Sequence, residues 1–249
     1  MAIIKTDEQI ENIAYSGKIL GQLLIELKDH IRAGMTLLEI DQLAEDYIRD
    51  HNGIPSFKGF HGFPNTSCIS VNENVIHGIP TKYKLQDGDI VGVDVGMIYK
   101  GGYGDTAYTY PVGEISDEKK KLLQITEQSL YIGIEQAVRG NRVRDISRAI
   151  QLFVEKEGFS LVREYCGHGV GLDVWEEPAI PNVVGPQPGP RLKNKMVIAI
   201  EPMVNIGSSA IFVKKDGWTV TTRDKKPSAH FEHTIVIRDG KPDILTKVS

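Results

Sequence analysis

The chain has 249 residues, 41% of them hydrophobic and 25% charged, with 25 glycines. This is an ordinary globular composition, long enough for one large core or two merged halves. A formal net charge of -4 and a pI near 6.0 argue against a nucleic-acid clamp, whose domain is normally basic. No apolar run approaches the roughly 18 residues of a membrane span, and the N-terminal stretch MAIIKTDEQIENIAYSG carries charge where a signal peptide needs an apolar core. Cys68 and Cys166 form no CxxC pattern, which fits a reducing compartment and a cytoplasmic protein.

In chain order, Thr6 with Gln9 three residues later predicts a capping box. Ile10, Ile13, Ala14, Gly17, Leu20, Leu24 and Leu27 then recur at helical spacing. Gly34 breaks the chain. Thr36 and Glu39 open a second helix, carried by Ile40, Leu43, Ala44, Tyr47 and Ile48 and stopped at Asn52-Gly53. A glycine- and aromatic-rich loop, PSFKGFHGFPNTS, leads to a strand from Cys68 to Val71, a turn at Asn72-Glu73-Asn74, and Val75-Ile76-His77-Gly78.

The segment DIVGVDVGMIYKGGYGDTAYTY, Asp89 to Tyr110, reads as a β-hairpin that sets Asp94 and Asp105 in apolar surroundings. A turn centred between Tyr99 and Lys100 places the two aspartates directly opposite each other, where their charges repel unless a cation lies between them. A turn centred on Gly101 places them on opposite faces instead, and two separately solvated aspartates need no metal. The hairpin alone leaves both open.

From Ser116 the pattern starts over. A long helix is predicted over about Asp117 to Val138, then Gly140, then a helix carrying Ile146, Ala149, Ile150, Phe153 and Val154. Sliding the first half by 106 residues, Gly34 onto Gly140, pairs Glu39 with Asp145 and Ile48 with Val154. This predicts a duplicated α+β domain whose halves, about 1–115 and 116–249, share one mainly antiparallel sheet. The proline-rich stretch Pro181 to Pro190 reads as a surface loop inside the second half.

Two more apolar strands, Val197 to Ile200 ending in Glu201, and Ala229 to Ile237 containing Glu232, each bring a carboxylate to a buried position. Unpaired, such a charge costs several kcal/mol. His168 lies between glycines in CGHGVG, which are expected to let the backbone approach a ligand. One histidine is more often structural, but here it accompanies four strand carboxylates. Asp94, Asp105, Glu201, Glu232 and His168 carry four negative charges, which two divalent cations balance. A carboxylate-rich set without thiolate favours manganese, iron or cobalt over a structural zinc, with nickel or zinc as further candidates. Paired ions of this kind serve hydrolysis by acidifying a shared water and polarising a carbonyl.

DVG, GDT, CGHGVG, AIEPM and AHFEHT stand in this chain in the order used by bacterial type I methionine aminopeptidases, and the chain resembles that family over essentially its full length. The resemblance implies the pita-bread fold, and it selects the register that faces Asp94 with Asp105. It also implies removal of the initiator methionine from nascent polypeptide N-termini, at the ribosome, where the second residue is small, through a hydroxide bridging two metal ions. Asp94 would hold one ion, Asp105 and Glu232 would bridge both, and His168 and Glu201 would hold the other. Glu201 would also move the proton and His77 would contact the scissile amide. Phe57, Phe60, Phe63, Cys68 and Trp218, with Val174 at the rim, would form the methionine pocket, although singly each reads as plain packing.

One position departs from the family pattern HGxGxxxHEEP: Trp175 stands where a second, substrate-contacting histidine is expected. Indole donates one hydrogen bond and cannot shuttle protons near pH 7. The metal site is therefore expected to survive with turnover reduced or altered. Two competing readings remain. An Xaa-Pro aminopeptidase-like hydrolase shares the fold and ligands but normally carries an additional N-terminal domain, against which the early start of the first helix argues. A non-catalytic peptide-binding module typically loses ligands, and all five are present. A monomer, with no membrane or sequence-specific nucleic-acid partner, completes the expectation.

Overall fold

The computed structural model describes residues 3–247. Helices α1 (Asp7–His30) and α2 (Leu37–Asp50) lead into strands β1 (Ile54–Pro55), β2 (Ser67–Val71), β3 (Asn74–Ile76), β4 (Ile90–Tyr99) and β5 (Gly102–Pro111). Helices α3 (Asp117–Glu135) and α4 (Val143–Lys156) then open the second half. They are followed by β6 (Ser160–Leu161), β7 (Gly167–Gly169), β8 (Glu176–Ile180), β9 (Val197–Ile200), β10 (Met203–Asn205), β11 (Ile211–Val213), β12 (Val220–Thr222), β13 (Ser228–His230), β14 (Glu232–Val236) and β15 (Asp243–Ile244).

Both predicted capping boxes form. The Thr6 hydroxyl accepts from the Gln9 N–H while the Gln9 side chain accepts from the Thr6 N–H, and Thr36 and Glu39 do the same for α2. At the other end of the repeat the match is exact in register: α2 and α4 begin and end 106 residues apart, Leu37 with Val143 and Asp50 with Lys156. The α3 helix is shorter than its sequence pattern and stops at Glu135. There the Asn141 amide donates to the Gln136 carbonyl and satisfies an orphan acceptor, so the backbone turns early.

Among the described residues, the main sheet runs β1-β4-β5-β14-β9-β7-β8, with β2 also beside β4 and β15 beside β14, all antiparallel. The halves therefore meet where β5 pairs with β14. Each half has its own apolar core: Leu20, Leu27, Ile40, Val91 and Val93 in the first, Leu122, Ile146, Ile150, Ile198 and Ile235 in the second, with Tyr108 packing against both. Each fully buried aliphatic side chain here contributes about 1.5–3 kcal/mol. Helix α1 lies directly on β5 because Gly102 and Gly104 carry no side chain. A Cβ at Gly102 would fall 2.6 Å from the Ile13 nitrogen, and one at Gly104 2.9 Å from that of Gly17.

The run from Ala229 to Ile237, expected as one strand, is two. β13 pairs with β10 in a separate three-stranded sheet, and β14 joins the main sheet after a break at Phe231. The cause is a side chain. The Thr109 hydroxyl donates to the His230 carbonyl (2.7 Å) and accepts from the His230 N–H (3.1 Å), taking the place of ladder bonds to β5.

Candidate metal centre

The β4–β5 hairpin turns at Lys100-Gly101, both with positive φ (45° and 77°), so Tyr99 pairs with Gly102. Two residues at positive φ give the turn whose twist matches the strands it joins. This corrects the expected register. Asp94 lies opposite Ala107, and Asp105 lies opposite Gly96, two residues away from direct pairing. The parity is unchanged, so both aspartates still share a face, as diagonal neighbours.

Ala107 explains the gathering. It is opposite Asp94 across one ladder and opposite Glu232 across the next, so Asp94, Ala107 and Glu232 form a row with Asp105 beside it on the same face. The methyl group at the centre of the row leaves the space above it to three carboxylates. Gly96, opposite Asp105, is equally constrained: a Cβ there would lie 2.7 Å from the Phe57 ring.

His168 arrives on β7, and Glu201 follows directly on β9. The His168 Nε2 lies 3.5 Å from Glu201 Oε1 and 3.8 Å from Asp105 Oδ2. Its Nδ1 sits 2.9 Å from the Gly169 carbonyl. That bond requires the proton on Nδ1, which leaves the Nε2 lone pair facing the carboxylates. Asp105, His168 and Glu232 each offer a ligand atom within 4.8 Å of the others. The glycines beside His168 were expected to admit a ligand, and they do something else. Side chains at Gly167 and Gly169 would collide with the carbonyls of Ala199 and Glu177, so the glycines let β7 fit between its neighbouring strands.

The electrostatics suit a cation, because the carboxyls can ionise here only with one beside them or at raised pH. Burial raises the Asp94 carboxyl to about 7, with His230 opposing the rise and Glu201 adding to it. Burial likewise brings Glu201 to about 7 against the pull of His168. Asp105 and Glu232 are pushed well above the usual carboxylate range, first by burial and then by their carboxylate neighbours. Asp94 Oδ1, Asp105 Oδ1 and Glu232 Oε1 are buried with no hydrogen-bond partner. Buried acceptors left unpaired are costly, and unpaired anions far more so. Orphaned oxygens on three buried carboxylates, two of them clustered with His168, fit divalent metal.

His230 escaped the sequence reading. It is buried, its Nε2 has no hydrogen-bond partner, and that atom lies 3.5 Å from Glu201 Oε2. Its position two residues before Glu232 in an alternating strand was the available signal, hidden because the run breaks at Phe231.

The carboxylates open onto a cavity of about 650 Å³, and every residue singled out from the sequence lines it. Phe57, Phe63 and Cys68 are buried together, with Val174 and Trp218 packed against them and the Phe63 and Trp218 rings edge to face at 5.1 Å. Phe60 and His77 complete the wall. His77 holds a left-handed conformation, φ 56°, next to Gly78, where a side chain would meet the Ile69 carbonyl. Burial, followed by the charges of His230 and His168, lowers its imidazole to about 4. Trp175 stands at the mouth, 47% exposed.

Residues 11–239 match the model of Metallopeptidase family M24. The chain belongs to that family. Among its relatives, "Methionine aminopeptidase 1" of Bacillus subtilis is 52% identical over 248 residues, 100% of each chain. The crystal structure of a methionine aminopeptidase from Thermotoga maritima superposes with a TM-score of 0.97 at 43% identity, covering 100% of both chains. This M24 member is thus a metal-binding hydrolase with the pita-bread fold. A prolidase from Pyrococcus furiosus shares the fold alone, at 22% identity and a TM-score of 0.80, with this chain spanning 66% of it.

Proposed function

We propose that this protein removes the N-terminal methionine of polypeptides whose second residue is small, with two divalent cations held by Asp94, Asp105, His168, Glu201 and Glu232. The observation that carries this reading is the meeting of orphaned buried carboxylate oxygens with an aromatic, thiol-lined pocket in one cavity. Manganese, cobalt and iron suit the donor set best, with nickel and zinc as further candidates. When bound, such cations supply a Lewis acid for the scissile carbonyl and an acidified water.

The chain's own residues do the rest. Phe57, Phe60, Phe63, Cys68 and Trp218 enclose an unbranched thioether, with Val174 at the rim, and burial keeps the Cys68 thiol protonated and apolar. His77, neutral at pH 7, offers an N–H to the scissile amide. Glu201 takes the proton from the attacking water and returns it to the leaving nitrogen as the C–N bond breaks. Trp175, in place of a histidine, gives the developing oxyanion at most one indole N–H and lowers turnover. The reading assigns the whole chain to one catalytic domain, acting as a cytoplasmic monomer on nascent chains at the ribosome without membrane or sequence-specific nucleic acid.

Release of methionine from Met-Ala-Ser after loading with manganese, cobalt or iron, with no cleavage of Ala-Pro, is the expected result. Cleavage of Ala-Pro instead favours the Xaa-Pro reading, which so far has only the shared fold in its support. No release with any metal, on a sample whose metal content is measured, favours a non-catalytic binding module.

A further inference from the structure

Outside the carboxylate cluster, Lys5 is 2% exposed and its Nζ donates to Glu176 Oε2, forming an ion pair across 171 residues of sequence. Neither residue lines the cavity. The other oxygen of Glu176 accepts from the backbone N–H groups of Leu172 (2.6 Å) and Asp173 (3.2 Å). One carboxylate therefore ties the N-terminal segment to the turn just before Val174 and Trp175, and Asp173, Val174 and Trp175 all line the cavity mouth.

Both ends of this tie are fixed. On one side the Lys5 N–H donates to the Lys195 carbonyl, and Ile4 bridges to Met196. On the other, Gly171 has φ 134° and packs so tightly that a Cβ would fall 2.6 Å from Ile13 and 2.9 Å from the Lys5 side chain, while its carbonyl accepts from the Tyr103 N–H. Just before Glu176, by contrast, Trp175 is exposed. The segment that lines the cavity is thus tied through the Glu176 carboxylate to Lys5, alongside the Gly171 N–H bond to the Asp173 carbonyl, the packing of Val174 on the pocket and the pairing of Glu176 with Gly169.

We infer that Lys5 and Glu176 are positioning residues for substrate selection: their buried ion pair holds the 172–175 segment against the cavity mouth and so sets both peptide affinity and the discrimination at the second residue. Its kinetic consequences rest on the aminopeptidase reading, while its structural consequence does not.

Three variants test it: Lys5→Met, Glu176→Gln and the double variant. Kinetics on Met-Ala-Ser and Met-Val-Ser are read in the native background. The steady-state anisotropy of Trp175 fluorescence is read with Trp218→Phe added, since the chain has 2 tryptophans. Lys5→Met, which leaves a buried carboxylate unpaired, is expected to raise KM by about tenfold with kcat within about twofold, the signature of lost uniform binding. The preference for alanine over valine narrows, and the Trp175 anisotropy falls as the segment gains nanosecond motion. The double variant also lacks the tie, so its KM is expected to stay within about threefold of the Lys5→Met value, since the two residues act as one unit; a KM back at the native value overturns the inference. Glu176→Gln keeps an acceptor for the Leu172 and Asp173 N–H groups, so it carries the same readouts if Lys5→Met fails to fold. Folded variants with unchanged KM, selectivity and anisotropy, lower only in Tm, overturn the inference, as does a loss confined to kcat. If the native protein releases no methionine, the aminopeptidase reading falls and the anisotropy alone decides this one.

Discussion

Ala107 carries more of the site than its size suggests. Placed opposite both Asp94 and Glu232, its side chain stands between two carboxylates proposed to hold the same ions. Ala107→Val adds two methyl groups where the ligands converge. The expected outcome is a loss of about tenfold or more in metal affinity, measured by isothermal titration, with the fold retained because valine suits a strand. Unchanged affinity means the row of side chains is not what shapes the site. Trp175 is the second residue whose identity decides something. Trp175→His introduces a donor that can also carry a proton, and kcat on a Met-Ala peptide is expected to rise by about 10²–10³, the usual value of one oxyanion donor. No gain in rate shows that turnover is not limited at that position.

At the scale of elements, the helices and the duplication were legible because local chemistry sets them: capping boxes at Thr6 and Thr36, apolar periodicity, and glycines at Gly34 and Gly140 with φ of 89° and 96°. The four carboxylates proposed as ligands were legible as charges within or at the end of apolar strands, and His168 through their company. What the sequence hid depends on contacts between distant segments. The hairpin register turned on which two residues took positive φ, and Lys100 at 45° is not a choice that composition announces. The break at Phe231 depends on a Thr109 hydroxyl 121 residues away, and with it went the placement of His230. The Lys5–Glu176 pair joins two segments that no motif connects. Thr36→Ala tests the local part of this account. Losing the hydroxyl that accepts from the Glu39 N–H should cost about 1 kcal/mol in denaturant unfolding, and no measurable change contradicts a capping role.

For the whole molecule, stability, charge and metal are linked. Asp94 and Glu201 have folded-state values near 7, raised from ordinary values of 3.8 and 4.5 by burial. A raised carboxyl is neutral in the fold and ionises more readily when the chain unfolds. In the metal-free protein these two groups therefore contribute stability that is fully present below about pH 4 and is lost as pH rises from about 4 through 7. Chelator-treated protein should show a Tm that falls across this window, while metal-loaded protein should not, because bound cations favour the ionised form. A flat Tm in the metal-free protein contradicts the burial of these charges.

The central claim is that side chains from both halves, meeting across the β5–β14 pair, hold two cations in one cavity. Anomalous diffraction at the manganese edge, on crystals grown with manganese, tests it most directly. Two peaks among Asp94, Asp105, His168, Glu201 and Glu232 are the predicted result. A single peak, or peaks coordinated by other residues, contradicts it.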